Sequence, residues 1–158
     1  TMKNRTYRYF KGEALFPFGH GLSYTSYEYG KPALKKVKSE ERRVKNSSAF
    51  AADHLDASSY SLSFSLANKG NREGTEVAQV YIRRMDDAEG PIKTLKAFKR
   101  ITLKAGEKQQ VTISLPRHSF EGWDSQTNTM RVVPGKYQIF VGGSSAEAAK
   151  NVIEVKVK

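Results

Sequence analysis

Residues 60–66 read Tyr-Ser-Leu-Ser-Phe-Ser-Leu, with Leu62, Phe64 and Leu66 on one parity and Ser61, Ser63 and Ser65 on the other. Strict alternation puts one set on a buried sheet face and leaves the other in water. The same period returns at 109–115 (Val111, Ile113, Leu115 inward), at 136–142 (Tyr137, Ile139, Val141) and at 151–158 (Ile153, Val155, Val157). Residues 75–83, 94–103 and 129–133 are rich in strand formers. Turn chemistry separates these runs: Asn68-Lys69-Gly70-Asn71, the polar stretch 86–91, Ala105-Gly106-Glu107, and Pro134-Gly135 in the order a type II turn requires.

About seven short strands with frequent turns and no long helix predict an all-β fold. It is an antiparallel sandwich of the immunoglobulin or fibronectin type III-like kind. Leu62, Phe64, Leu66, Val80, Val111, Ile113, Leu115, Ile139 and Val141 are its expected core. Lys156 and Lys158, on the solvent face of the last run, suit an edge strand that must not pair with another chain. Residues 46–58 have no period and read as a loop or insertion. The stretch 7–29 is different again. It holds eight aromatic residues, and Pro17, Gly12, Gly19 and Gly21 forbid a helix. It reads as an extended segment that must be buried against something. Eight aromatics bury roughly 150–250 Å² each, together on the order of a whole protein–protein interface.

At 158 residues the chain is long enough for one domain with its own core. Having no cysteine, it can form no disulfide, cysteine zinc site, iron–sulfur cluster or thiol nucleophile. No run is long and apolar enough for a transmembrane helix, so no membrane insertion is expected. The first ten residues carry no signal-peptide core, so export to the periplasm or the exterior needs a signal upstream. The net charge is +11, concentrated in residues 1–50, where 11 basic side chains face 4 acidic ones. No nucleic-acid motif accompanies it, so it reads as a solvated surface or a face that meets an acidic neighbour.

Catalytic constellations are missing from the sequence. His20, His54 and His118 are scattered, and no metal or other cofactor is expected. Gly19-His20-Gly21 lacks the Lys-Ser/Thr and the helix of a phosphate loop. Asp86 and Asp87 are neighbours, not a pair facing across a cleft. Asn4 and Asn46 match the short glycosylation acceptor. Trp123, the single tryptophan, is either a sugar-stacking surface residue or a core or rim residue of the sandwich; the second is the plainer reading.

Two blocks carry a resemblance. One is Arg5-Thr6-Tyr7-Arg8-Tyr9-Phe10 followed by Leu15-Phe16-Pro17-Phe18-Gly19-His20-Gly21-Leu22-Ser23-Tyr24-Thr25. The other is spread along the predicted sandwich: Asn68-Lys69-Gly70, Gly74-Thr75-Glu76-Val77, Gln79-Val80-Tyr81, 95–100, 103–107, Pro134-Gly135-Lys136-Tyr137 and 141–145. Together they resemble the C-terminal part of glycoside hydrolase family 3 enzymes, the β-glucosidases and β-xylosidases. Ala97 stands where that pattern leads one to expect glycine. The resemblance implies that residues 1–30 are a linker and the tail end of an α/β sandwich domain, and that 31–158 are a fibronectin type III-like domain. It implies a parent that is a retaining exo-glycosidase, with its nucleophilic Asp and acid/base Glu in domains outside this chain. The histidine of Gly-His-Gly leans toward a β-xylosidase-like parent.

The expected role is that of a non-catalytic accessory domain that stabilises the catalytic domains and shapes their cleft. Tyr7, Tyr9, Phe10, Phe16, Phe18, Tyr24 and Tyr27 are the expected docking residues. Deprived of its partner, segment 7–29 would fold back on the sandwich, stay disordered or pair with a second copy. The alternative role is a module that binds carbohydrate, such as a plant-type polysaccharide, through Trp123, exposed tyrosines and positive charge.

Overall fold

The computed structural model describes residues 5–38 and 58–157. The expected loop at 46–58, apart from Ser58, lies outside these residues, as do His54, Lys158 and the acceptors Asn4 and Asn46. A four-residue helix, α1 (Thr6–Tyr9), is followed by β1 (Tyr27–Tyr29), β2 (Ala33–Lys38), β3 (Ser58–Asn68), β4 (Gly74–Arg84), β5 (Thr94–Leu103) and β6 (Lys108–Leu115). Then come a 3₁₀ turn (Arg117–Phe120), β7 (Gly122–Asp124), β8 (Thr129–Arg131), β9 (Gly135–Gly142), the short α2 (Ser145–Ala148) and β10 (Val152–Val157).

All pairing is antiparallel. In the first sheet β3 is central. It pairs with β6 on one edge and shares the other between β2 (Leu34 opposite Leu62) and β1 (Tyr29 opposite Leu66). The second sheet runs β10-β9-β4-β5, and β7-β8 form a separate hairpin. The two sheets close as a sandwich on the alternating residues. Leu62, Leu66, Val80, Leu115, Ile139 and Val141 are fully buried, and Phe64, Val111 and Ile113 nearly so. The 3₁₀ turn after Pro116 swings Phe120 into one end of this core, where its ring meets Tyr60 at 5.0 Å and the edge of Tyr137 at 5.6 Å. Tyr137 donates its hydroxyl to the Val133 carbonyl at 2.6 Å. That is the geometry of the tyrosine corner of immunoglobulin-like sandwiches.

The sequence pattern and the structure differ in four places. β1, β2 and β7 are additional strands; lysines interrupt the period of Ala33–Lys38, and three residues, the length of β1 and of β7, are too few to show one. The single turn α1 takes in Tyr7–Tyr9, at the start of the stretch read as non-helical and ahead of its first glycine. Tyr27–Tyr29 lie within the stretch read as linker and yet form a rung of the first sheet. Gly135 is extended (φ 159°) and opens β9, so Pro134-Gly135 is a bend and not a type II corner.

β4 is buried on both faces. Ala78, Val80 and Ile82 enter the core, while Gln79 and Tyr81 lie under a covering on the far side. Its partner β5 carries one residue too many. Val80 faces Ala97 and Tyr81 faces Leu95, so Lys96 is the extra residue of a β-bulge. Bulges re-aim a side chain and bend the strand.

Candidate functional site

The covering over β4 is the aromatic N-terminal segment. Tyr7 and Phe18 stack with centroids 3.9 Å apart, and both present edges to the Tyr81 ring, at 6.3 and 6.4 Å. Hydrogen bonds fix the backbone beside them. The Leu95 amide donates to the Tyr7 hydroxyl at 3.1 Å, Ile92 N to the Arg8 carbonyl at 2.6 Å and Ser145 N to the Phe18 carbonyl at 2.8 Å. Lys93 Nζ donates to the Ser145 carbonyl and lies near the Tyr81 and Phe140 rings. Burial pushes its pKa down.

At the centre of the crossing is Gln79. Its Nε2 donates to the carbonyls of Gly19 (3.0 Å) and Gly143 (2.5 Å), and its Oε1 accepts from the Tyr81 hydroxyl (2.5 Å). Gly19 sits at φ +77°, and a Cβ there would lie 2.0 Å from Gln79 Oε1. The Gly-His-Gly run is thus a close backbone crossing, which explains the glycine at its first position. Further on, Thr25 Oγ1 donates to Asn68 Oδ1 (2.5 Å), which also accepts from Gly70 N (3.0 Å). Tyr29 stacks on Phe64 at 5.8 Å and donates its hydroxyl to Glu76 Oε1 at 2.7 Å. Burial raises the pKa of Glu76, the Tyr29 bond opposes that, and the charge of Glu147 adds to it.

The seven residues expected to dock therefore divide. Tyr7, Phe18 and Tyr27 engage this chain's own sandwich, and Tyr9 lines a cleft at its end. Phe10, Phe16 and Tyr24 point outward, with Phe16 70% and Tyr24 93% exposed. Leu15 (89%) and Leu22 (95%) join them, as does Phe98 (65%), which stands on β5 directly opposite Gln79. Sequence reading missed Leu15, Leu22 and Phe98: single apolar residues give no sign of whether they face a core or water. Gln79 was missed as well, since an amide within a strand looks like a solvent-facing one.

Trp123 lies on the rim, 56% exposed, on the hairpin β7-β8, with Met130 as its cross-strand partner. Asp124 builds that hairpin. Its carboxylate accepts from Gln126 N (3.1 Å), Thr127 Oγ1 (3.0 Å) and Arg131 Nε (2.6 Å), while Asn128 takes the left-handed corner at φ 50°. The Gln126 amide foremost, with Thr127 and Arg131, holds its carboxyl below the usual carboxylate range, while burial, second in size to the Gln126 bond, opposes them. Among the described residues no group of three or more histidines and carboxylates could hold a metal ion. Asp86 is engaged structurally: its Oδ2 accepts from Lys136 N at 3.1 Å. Asp87 pairs with Arg84 at 3.0 Å.

The two sheets, the tyrosine corner and the covered outer face of β4 define a fibronectin type III-like sandwich. Residues 76–145 match the family described as "Fibronectin type III-like domain". The chain is similar to a xylan 1,4-β-xylosidase of Xylanibacter ruminicola, 42% identical over 147 residues, which is 93% of this chain and 15% of the xylosidase. It is 37% identical over 150 residues to a probable β-glucosidase D of Aspergillus flavus, covering 92% of this chain and 20% of that protein. Among solved structures, a Kluyveromyces marxianus β-glucosidase superposes with a TM-score of 0.75 and 30% identity, over 96% of this chain and 16% of that one. Over more than nine tenths of its length the chain is similar to one part of each of these glycosidases, and its residues 76–145 carry the fibronectin type III-like domain. It spans only about a fifth or less of the length of these relatives.

Proposed function

We propose that this chain is the non-catalytic accessory domain of a larger, exo-acting retaining β-glycosidase, a β-xylosidase or β-glucosidase, and that it stabilises the catalytic domains. One observation carries this reading. The segment 15–24 presents Leu15, Phe16, Leu22 and Tyr24 to solvent, while the backbone between them is pinned to the sheet through Phe18 and Gly19. Apolar side chains on a backbone fixed by hydrogen bonds form a preorganised docking surface, which loses little entropy when covered. The partner surface is the catalytic part of the same polypeptide, and the net charge of +11 favours an acidic one.

The test replaces Phe16, Leu22 and Tyr24 together by serine in the full-length enzyme. The catalytic domains should then unfold several degrees lower and lose activity sooner on heating. The same triple change in the 158-residue chain should leave its melting temperature within about a degree, because exposed positions contribute little to stability. An unchanged full-length enzyme would overturn the proposal.

A further inference from the structure

Beside Trp123 the end of the sandwich opens into a cleft of about 470 Å³, inside the range of roughly 300–1,000 Å³ usual for small-molecule sites. Its floor is apolar, made by Ile82, Phe120 and Tyr137. Its rim carries the exposed indole of Trp123 with Met130 beside it, 58% exposed. Four basic side chains, Arg8, Arg83, Arg84 and Lys96, line it together with three carboxylates, Asp87, Glu89 and Glu121. The Nε donors of Arg83 and Arg84 are buried with no acceptor among the described residues. Arg8 has no ion-pair partner among those residues and lies near the Tyr7 ring, 6.0 Å from its centroid. Lys96, the bulged residue of β5, enters the cleft and donates to the Glu121 carbonyl at 3.0 Å. Burial pushes its pKa down, and the charge of Arg8 adds to this, while Glu121 opposes it. Arg8 and Lys96 have no salt bridge among the described residues, Asp87 is taken by Arg84, and the basic side chains of the cleft exceed its carboxylates by one.

We propose that this cleft binds a pyranose oligosaccharide carrying a uronic acid. The apolar face of a sugar ring lies on the Trp123 indole, and the carboxylate sits between Arg8 and Lys96. The composition of the cleft selects this ligand. A flat indole needs a flat apolar face, which an acidic peptide does not present. Two cations without a salt bridge favour an ionised acceptor, which makes charge-assisted hydrogen bonds that a neutral sugar cannot. A single-stranded nucleic acid needs a charged groove with successive stacking platforms, and here one exposed indole stands beside one cluster of cations. The site includes none of the outward residues Leu15, Phe16, Leu22 and Tyr24 that carry the docking reading, so its failure leaves the accessory role untouched.

Because Trp123 is the single tryptophan, its fluorescence reports on this cleft alone. The 158-residue chain is titrated at about 0.15 M salt with a xylotriose bearing one glucuronic acid branch, with unbranched xylotetraose, and with a short oligothymidylate. The acidic sugar should change Trp123 emission saturably, and the neutral one should bind about tenfold more weakly, a difference of about 1.4 kcal/mol. Lys96→Gln should bring the two sugars to equal affinity, and Trp123→Ala, followed by calorimetry, should abolish binding of both. Circular dichroism confirms that each variant is folded; should Trp123→Ala fail that check, Trp123→Leu takes its place. Equal affinities in the native chain, no saturable change, acidic-sugar binding indifferent to Lys96→Gln, or tighter binding of the oligothymidylate would each overturn the proposal.

Discussion

Gln79 joins three parts of the chain through one side chain: the segment crossing at Gly19, the loop at Gly143 and the hydroxyl of Tyr81. All three connections lie on the covered outer face of β4, those to Gly19 and Gly143 at the edge of a cleft. Gln79→Ala should therefore cost about 1–3 kcal/mol, the usual penalty for buried polar groups left unsatisfied, measured by chemical denaturation of the 158-residue chain. A loss within the error of that measurement would mean that water reaches this face. At the residue scale the sequence was legible where parity decides. Phe64 lies between two serines and is 1% exposed, as alternation requires. It was not legible for Gln79, because alternation assigns it the outer face, and only the chain folded over that face makes it buried.

Among the elements, the hairpin β7-β8 depends on a single carboxylate. Asp124 holds the 125–128 turn most strongly while ionised, since its three bonds use both carboxylate oxygens as acceptors. Its folded pKa lies below the unfolded value of about 3.9. The stability it contributes is therefore complete above that value and is lost as pH falls through the lower, folded one. Trp123 emission should shift toward that of a solvated indole as the solution is acidified below about pH 4, ahead of loss of far-ultraviolet dichroism from the sandwich. In Asp124→Asn the hairpin signal should no longer change over this range; a variant that keeps the wild-type acid transition would assign it to another group. The sequence showed the long strands of this fold and missed its short ones for a physical reason. β2 is an edge strand with lysines at 35, 36 and 38, and β1 has three residues, so neither buries enough to leave a period. In the candidate site the aromatic cluster at 7–29 was visible as composition. Its division into residues that bind the sandwich and residues that face outward depends on the covered face of β4, which no local pattern encodes.

For the whole molecule, the two sheets hold a closed core and every conspicuous group lies outside it: the apolar outward row of the N-terminal segment, the cleft beside Trp123, and the excess of positive charge. Retaining glycoside hydrolysis needs two carboxyl groups about 5 Å apart across a sugar site. Asp86 and Asp87 are occupied by Lys136 and Arg84 instead. The purified 158-residue chain should show no turnover of nitrophenyl β-xylosides or β-glucosides above the buffer rate. Turnover that disappears on replacing a carboxylate of this chain would contradict the accessory reading.

Lys96 stands outside the strand ladder, although it lies in the middle of a strand. The rungs on either side, Val80 with Ala97 and Tyr81 with Leu95, already run in sequence along β4 without it. Losing one residue from a strand ordinarily turns every following side chain to the wrong face. Here the loss of residue 96 would bring Leu95 and Ala97 together with their partners and faces unchanged. Relatives of this chain can therefore gain or lose the lysine of the cleft by a single-codon insertion or deletion, with the core beneath it undisturbed.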